Sequence, residues 1–263
     1  MTRFLRRHLS MRFIRVWERN LTVYRQNWKI SFAPPLLEPF FYLVAFGVGL
    51  SALVGSVTYQ GSEISYMNFI APALLAINIM NNAFFENTYA SFVRMYYQKT
   101  FDAMMATPLT VEEIITGEIA WGATKSVIAT AVMLAVISLF GLVRYPEGLL
   151  IIPLALIGGI AFGSIGMIFT ATVANIELFN LPIFLFITPM FLFSGTFFPI
   201  ENLPAWAQYI AVLLPLTHLV NITRSLSLGI FDVSLLPGFC YIVITSIVFF
   251  PLAIHKMHRR LIK

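Results

Sequence analysis

The sequence predicts an all-α integral membrane protein. It has six transmembrane helices, an N-terminal amphipathic interfacial helix, a short helix on the cytoplasmic side and a re-entrant helical segment on the outer side. Three observations carry this. Of 263 residues, 59% are hydrophobic and only 11% are charged, whereas a soluble domain carries roughly 25% charged residues to meet water. Six apolar stretches approach or exceed the length a helix needs to cross hydrocarbon, about 20 residues. The basic residues gather at the two ends of the chain, eight of seventeen before position 30 and four in the last eight positions. Basic ends flanking apolar spans are what membrane orientation requires, and this distribution argues against nucleic-acid binding despite a net charge of +5. No long polar stretch marks a second domain, so 1–263 reads as one unit: 1–29 interfacial helix, 31–255 bundle, 256–263 basic tail. The single cysteine, Cys240, sits in an apolar run and reads as a free buried thiol.

The elements follow in chain order. Phe13, Trp17, Leu21, Tyr24 and Trp28 recur at spacings of three and four, while Arg12, Arg15 and Arg19 occupy another face. Such a basic amphipathic helix belongs in the membrane interface. A signal peptide fits poorly, because the basic region is long and no small-residue cleavage site follows the apolar run. Spans are expected at 31–53, 67–92, 113–140, 149–173, 179–198 and 235–255. With the N-terminus inside, fourteen of the seventeen basic residues fall on the inner side. Both termini are then cytoplasmic, as an even number of spans demands.

Two connections carry information. The inner loop after the second span forms a short helix ending at Pro108, followed by Leu109-Thr-Val-Glu-Glu-Ile114. Thr110 with Glu113 makes a capping box and Leu109 against Ile114 a hydrophobic staple, so the third span starts sharply. On the outer side, the run after Pro204 is too short to span; Trp206, Tyr209, Ile210, Leu213 and Leu214 recur at helical spacing. A short apolar helix between prolines is re-entrant or interfacial.

These connections also carry a resemblance. Thr107-Pro-Leu-Thr-Val-Glu-Glu-Ile-Ile-Thr-Gly-Glu118 resembles type-2 ATP-binding-cassette export permeases, as do Phe198-Pro-Ile-Glu-Asn-Leu-Pro-Ala-Trp-Ala-Gln208, Leu214-Pro-Leu-Thr-His218 and Arg224. Phe186-Ile-Thr-Pro-Met-Phe-Leu-Phe-Ser-Gly195 resembles the branch of nodulation-factor (lipo-oligosaccharide) exporters. The resemblance runs over nearly the whole chain. It implies a permease in the bacterial inner membrane that pairs with a second copy of itself, sits among membrane lipids and docks on a dimer of cassette ATPases. ATP and Mg are expected on that partner, and no cofactor on this chain. The coupling surface implied is Lys99, Phe101, Asp102, Met105, Glu112 and Glu113; the outer gate is Trp206, Tyr209 and His218. The substrate implied is a lipo-oligosaccharide, glycolipid, polysaccharide or drug. The chain has no Gly-x-x-x-x-Gly-Lys-Ser/Thr motif, so it is not expected to hydrolyse ATP by a P-loop.

Charged and amide groups inside the spans need a reason, since a charge in hydrocarbon costs about 2.5–3.5 kcal/mol on insertion scales. Asn78, Asn82 and Glu86 stand at four-residue steps in the second span, either lining a pathway or joining helices by hydrogen bonds. Lys125 in the third span has two candidate partners, Glu118 seven residues earlier and Glu86 across the bundle. Asn175 and Glu177 form an inner turn that is a second ATPase contact or simply solvated. His255 and His258 read as part of a solvated tail, with no metal site. An intramembrane hydrolase is the distant alternative. It would use Ser194-Gly195, but Leu192 replaces the glycine that rhomboid-type proteases place two residues before the serine, and a serine without a nearby base is a poor nucleophile. A passive channel is the other alternative.

Overall fold

The computed structural model describes residues 10–28, 37, 40–50, 54–59 and 61–262. Residues 31–36, 38–39 and 51–53 of the first expected span, 31–53, and the basic residues Arg3, Arg6, Arg7, Lys29 and Lys263 lie outside the described residues. Of the first span, Leu43–Leu50 is π-helical.

Helix α1 (Phe13–Gln26) is followed by that π-helical stretch and by a hairpin of β1 (Ser56–Tyr59) and β2 (Ser62–Ser65), antiparallel, with Val57 opposite Ile64. Gly61 turns it at φ +77°, a conformation glycine adopts without steric cost. Sequence periodicity does not reveal this hairpin, because each strand is only four residues long. Ser65 then accepts a bond from the Asn68 N–H and starts α2 (Tyr66–Tyr97). After the very short α3 (Thr100–Met105), the third long helix, α4 (Val111–Leu139), opens with the expected capping box at Thr110 and Glu113. Then come α5 (Ile151–Thr172) and α6 (Ile176–Phe193), the latter a composite of 3-10, α and π turns around Pro182 and Pro189. Next are α7 (Ala205–Leu213) and α8 (Pro215–Ser227), with α9 (Leu236–Leu261) last.

Among the described residues five helices are long and apolar enough to cross a membrane, those of α2, α4, α5, α6 and α9. Helices α7 and α8 meet at 85° and form a re-entrant pair. Trp206 at the start of α7 packs edge-on against Phe193 at the end of α6. At the far end of α8, the Ser227 carbonyl accepts from the Arg144 N–H in the turn between α4 and α5. Both ends of the pair thus sit at one end of the bundle. The bend itself lies deeper, where Tyr241 of α9 donates its hydroxyl to the Leu213 carbonyl at 2.6 Å.

Two apolar cores stabilise the bundle. The larger joins α2, α4, α5 and α8 around Phe69, Phe84, Phe162 and Leu219. Close approach is set by small residues: a Cβ added to Gly159 of α5 would lie 2.7 Å from the Ala123 Cα of α4, which is how helices pack where apolar contact with lipid gives no preference. The smaller core lies at the opposite end from the re-entrant pair. There Val16 of α1, Phe101 of α3, Val111 and Ile115 of α4, Phe179 of α6 and Met257 of α9 come together. The described parts of both chain ends therefore lie at one end of the bundle.

Two expectations need correction. Cys240 is exposed rather than buried, because it lies on a side of α9 that no described helix covers. The tail is packed rather than solvated around His258: its Nδ1 is 2.9 Å from the buried Glu112 carboxylate, and Arg260 donates to the Thr170 and Val173 carbonyls. Of the two histidines only His255 is exposed, as are Lys256 and Arg259 beside it. α9 is 26 residues long, more than hydrocarbon needs, so its last turns continue as ordered helix beside α4 and α5.

Candidate functional site

The site grows from the polar stripe on α2. Its segment Tyr66–Phe85 is a twenty-residue α-helix without a charged residue, which uses up the length of a hydrocarbon crossing. Glu86 begins where that length ends. From there the helix widens into two π turns, Glu86–Ala90 and Val93–Tyr97. Two α-helical turns hold about 7 residues; π turns hold more, so Arg94, eight residues on, comes beneath Glu86. The Arg94 Nη1 donates to Glu86 Oε1 at 2.8 Å, while its Nε and Nη2 reach Glu118 Oε2 of α4 at 2.9 and 2.6 Å.

Four charges close the network. Lys125 Nζ lies 2.8 Å from Glu86 Oε2, so of its two candidate partners it takes Glu86. Trp121 Nε1 donates to Glu86 at 3.1 Å; Ser91 and Asn20 donate to Glu118 at 2.6 and 2.9 Å. Two carboxylates face two cations, each hydrogen-bonded, which is the condition for keeping charge out of water. Asn82 is half-buried and donates back to the Asn78 carbonyl at 3.0 Å, with Asn78 buried beside it. Arg94 was not legible as a site residue, since its place depends on π turns that leave no mark in the pattern. Asn20 had a signal: it is the one amide on α1 between Trp17 and Tyr24.

Helix α1 is seated on this network. A Cβ on Gly117 of α4 would lie 2.5 Å from Val16 Cβ, so the two helices touch backbone to side chain there. Trp17 Nε1 donates to Thr124 Oγ1 at 2.9 Å, and Tyr24 packs edge-on against Trp121 at 5.5 Å. Between α1, α2 and α4 remains a cavity of about 770 Å³, lined among others by Arg19, Tyr24, Asn82, Glu86, Arg94 and Lys125. Burial pushes the Arg19 guanidinium pKa down from its ordinary value, opposed by the charge of Glu118, and burial raises that of the Tyr24 hydroxyl.

The expected coupling residues divide. Lys99 and Asp102 are exposed, 3.9 Å apart, at the start of α3. Lys99 holds a left-handed φ of +54° that turns α2 into α3. Phe101 is fully buried in the smaller core, and Met105 is half-buried. Glu112 and Glu113 are buried and turned inward, Glu112 to His258 and Glu113 to the Thr110 N–H and the Ser10 hydroxyl; neither offers its carboxylate to a partner. Asn175 caps the start of α6 and Glu177 is exposed.

At the other end, Trp206 and Tyr209 are exposed on α7. His218 is engaged: its Nε2 is 2.8 Å from the Val212 carbonyl and its ring stacks on Tyr241 at 4.2 Å. Arg224 of α8 is fully buried, donating to the Phe69 and Gly195 carbonyls at 3.0 and 2.8 Å over the Phe69 ring. Among the described residues the buried Ser194 hydroxyl has no hydrogen-bond partner, so no base is positioned to activate it. Also among the described residues, no group of three or more His, Cys, Asp or Glu could hold a metal ion.

A bundle of helices long and apolar enough to cross a membrane, with a buried carboxylate network between them, is the architecture of a multi-pass membrane protein. The family described as ABC-2 type transporter matches residues 11–228, and the chain belongs to that family of permeases. It is 36% identical over 220 residues to nodulation protein J of Rhizobium leguminosarum bv. viciae, covering 84% of this chain and 83% of the relative. With nodulation protein J of Rhizobium meliloti it shares 35% over 217 residues, 82% and 81% of the two chains. The inner membrane transport permease YadH of Escherichia coli is 26% identical over 239 residues, 89% and 90% of the two chains. The chain is thus a multi-pass ABC transporter permease, and its family implies association with a cassette ATPase.

Proposed function

We propose that this permease is the membrane half of an ATP-driven exporter in the bacterial inner membrane. Two copies pair over a dimer of ATPase subunits, which carry ATP and Mg, and both termini of each copy face the cytoplasm. The substrate is an amphipathic lipo-oligosaccharide, glycolipid or polysaccharide, moved outward by alternating access. Likeness to the nodulation proteins J supports that substrate class.

The observation that carries the reading is a continuous mechanical connection. α3 offers exposed Lys99 and Asp102 at the inner end, while its Phe101 is locked into the smaller core with Val111 and Ile115 of α4. α4 carries Glu118, Trp121 and Lys125, which hold the network beside the cavity. A push on α3 therefore reaches charged groups of α2 through packed side chains. ATP then acts by shifting the population between inward and outward states. Lys99, Phe101, Asp102 and Met105 form the receiving surface and its anchor; Glu112 and Glu113 serve by fixing the start of α4. Asn78, Asn82 and Glu86 border the pathway, and Trp206 and Tyr209 sit at the outer gate, with His218 holding its hinge.

The test is to reconstitute the chain in lipid nanodiscs with the ATPase encoded beside it and measure substrate-dependent outward movement. Accumulation of a labelled lipo-oligosaccharide on the far leaflet, dependent on ATP, supports the proposal. Movement of hydrophobic drugs instead would reassign the substrate to multidrug efflux.

A further inference from the structure

We propose that the cavity between α1, α2 and α4 holds the phosphate headgroup of an acidic membrane phospholipid, with Arg19 as its cation. The site is distinct from the transported substrate and rests on the membrane placement argued above.

Charge is the first argument. The groups in and behind the cavity wall are Arg19, Arg94 and Lys125 against Glu86 and Glu118, three cations and two carboxylates. Arg94 and Lys125 are bonded to the carboxylates. Among the described residues the Arg19 guanidinium bonds to one neutral group, the Asn20 amide oxygen at 2.9 Å. Arg19 is half-buried, so its lost hydration is not balanced by an ion pair, and desolvation accordingly lowers its pKa. A charge held this way favours an anionic ligand, and a guanidinium matches phosphate oxygens in pairs.

Level is the second argument. Glu86 marks the end of the uncharged crossing of α2, and the cavity extends from Asn82 past it to Gln98. It therefore reaches from the inner leaflet's acyl zone through its headgroup zone. The walls suit a lipid head: Gln98 at the wet end, and Tyr24 and Trp121 at the depth where amphipathic rings settle. Basic pockets between spans on the cytoplasmic side take acidic headgroups. A bound lipid would clamp α1 to α2 from the side opposite the Gly117 contact.

The experiment uses the full-length permease without its ATPase, so its outcome is independent of the transport reading. The protein is purified in a neutral detergent, exposed to equal amounts of phosphatidylglycerol and phosphatidylcholine, and the retained lipid counted by native mass spectrometry. The wild type is expected to retain phosphatidylglycerol preferentially, with the preference falling roughly fivefold in Arg19→Gln, as for loss of one basic residue at an acidic membrane surface. Arg19→Lys should keep part of it, and Arg15→Gln, on the exposed side of α1, should keep all of it. Matching elution of the variants on size exclusion establishes that they fold. No preference in the wild type, or equal loss in Arg15→Gln and Arg19→Gln, would overturn the proposal. Displacement of the lipid by millimolar inorganic phosphate would also overturn it, by assigning the site to a free anion.

Discussion

At the residue scale, the half-buried Arg94 and the buried Arg224 do different work. Arg94 bridges two carboxylates from two helices, so removing it leaves Glu86 and Glu118 uncompensated. Breaking a buried pair in this way costs about 3–5 kcal/mol. Arg94→Ala should therefore lower the unfolding temperature of the purified protein strongly, and Arg94→Lys should recover little, since an ammonium cannot present the same fork of donors. Arg224 instead ties carbonyls: the Phe69 carbonyl at the start of α2 and the Gly195 carbonyl after α6. Arg224→Gln should loosen the re-entrant pair while sparing the inner end. Limited proteolysis should then cut within 196–214 faster, with the α1–α4 contacts unchanged. Much of this was hidden from sequence. Glu86 and Lys125 stood out as charges in apolar runs, and their pairing was one of two options. Arg94 counted only as an inner-side positive charge, because nothing in the residue pattern reports π turns.

At the element scale, the amphipathic face of α1 and the capping box of α4 were both legible, because each rests on local spacing. What α1 packs on was not legible: Gly117 permits the contact, and a glycine in an apolar helix has many possible reasons. Replacing it tests the seat. Gly117→Val should push Val16 and the Phe13 carbonyl away, at an overpacking cost of about 1–3 kcal/mol. The Tyr24–Trp121 contact would separate with it, and Trp121 emission should move to longer wavelength as water reaches the ring. Unchanged emission would mean that α1 is held elsewhere. The β1–β2 hairpin leaves no periodicity in the sequence because its strands are short, and the packing of the α9 tail is not local, since its partner Glu112 lies 146 residues from His258.

At the scale of the whole molecule, the order of the five described spans followed from composition, and the grouping of the described parts of both ends at one face agrees with the positions of lysine and arginine. The division into two cores did not, and that division bears most on function. The smaller core joins α1, α3, α4, α6 and α9 at the end where an ATPase would dock. It holds α3 through the buried Phe101, while Asp102 beside it remains exposed. The two residues should fail differently: Asp102→Ala weakens contact with the ATPase, whereas Phe101→Ala keeps contact and loses transmission. Binding assays should show reduced ATPase affinity for the first variant alone.

The most direct measurement is ATP turnover by the nanodisc-embedded complex with and without a lipo-oligosaccharide, compared between wild type and Phe101→Ala. The account predicts that substrate stimulates hydrolysis in the wild type, and that Phe101→Ala forms the complex and hydrolyses ATP but no longer responds to substrate. A substrate response in Phe101→Ala equal to that of the wild type would contradict it.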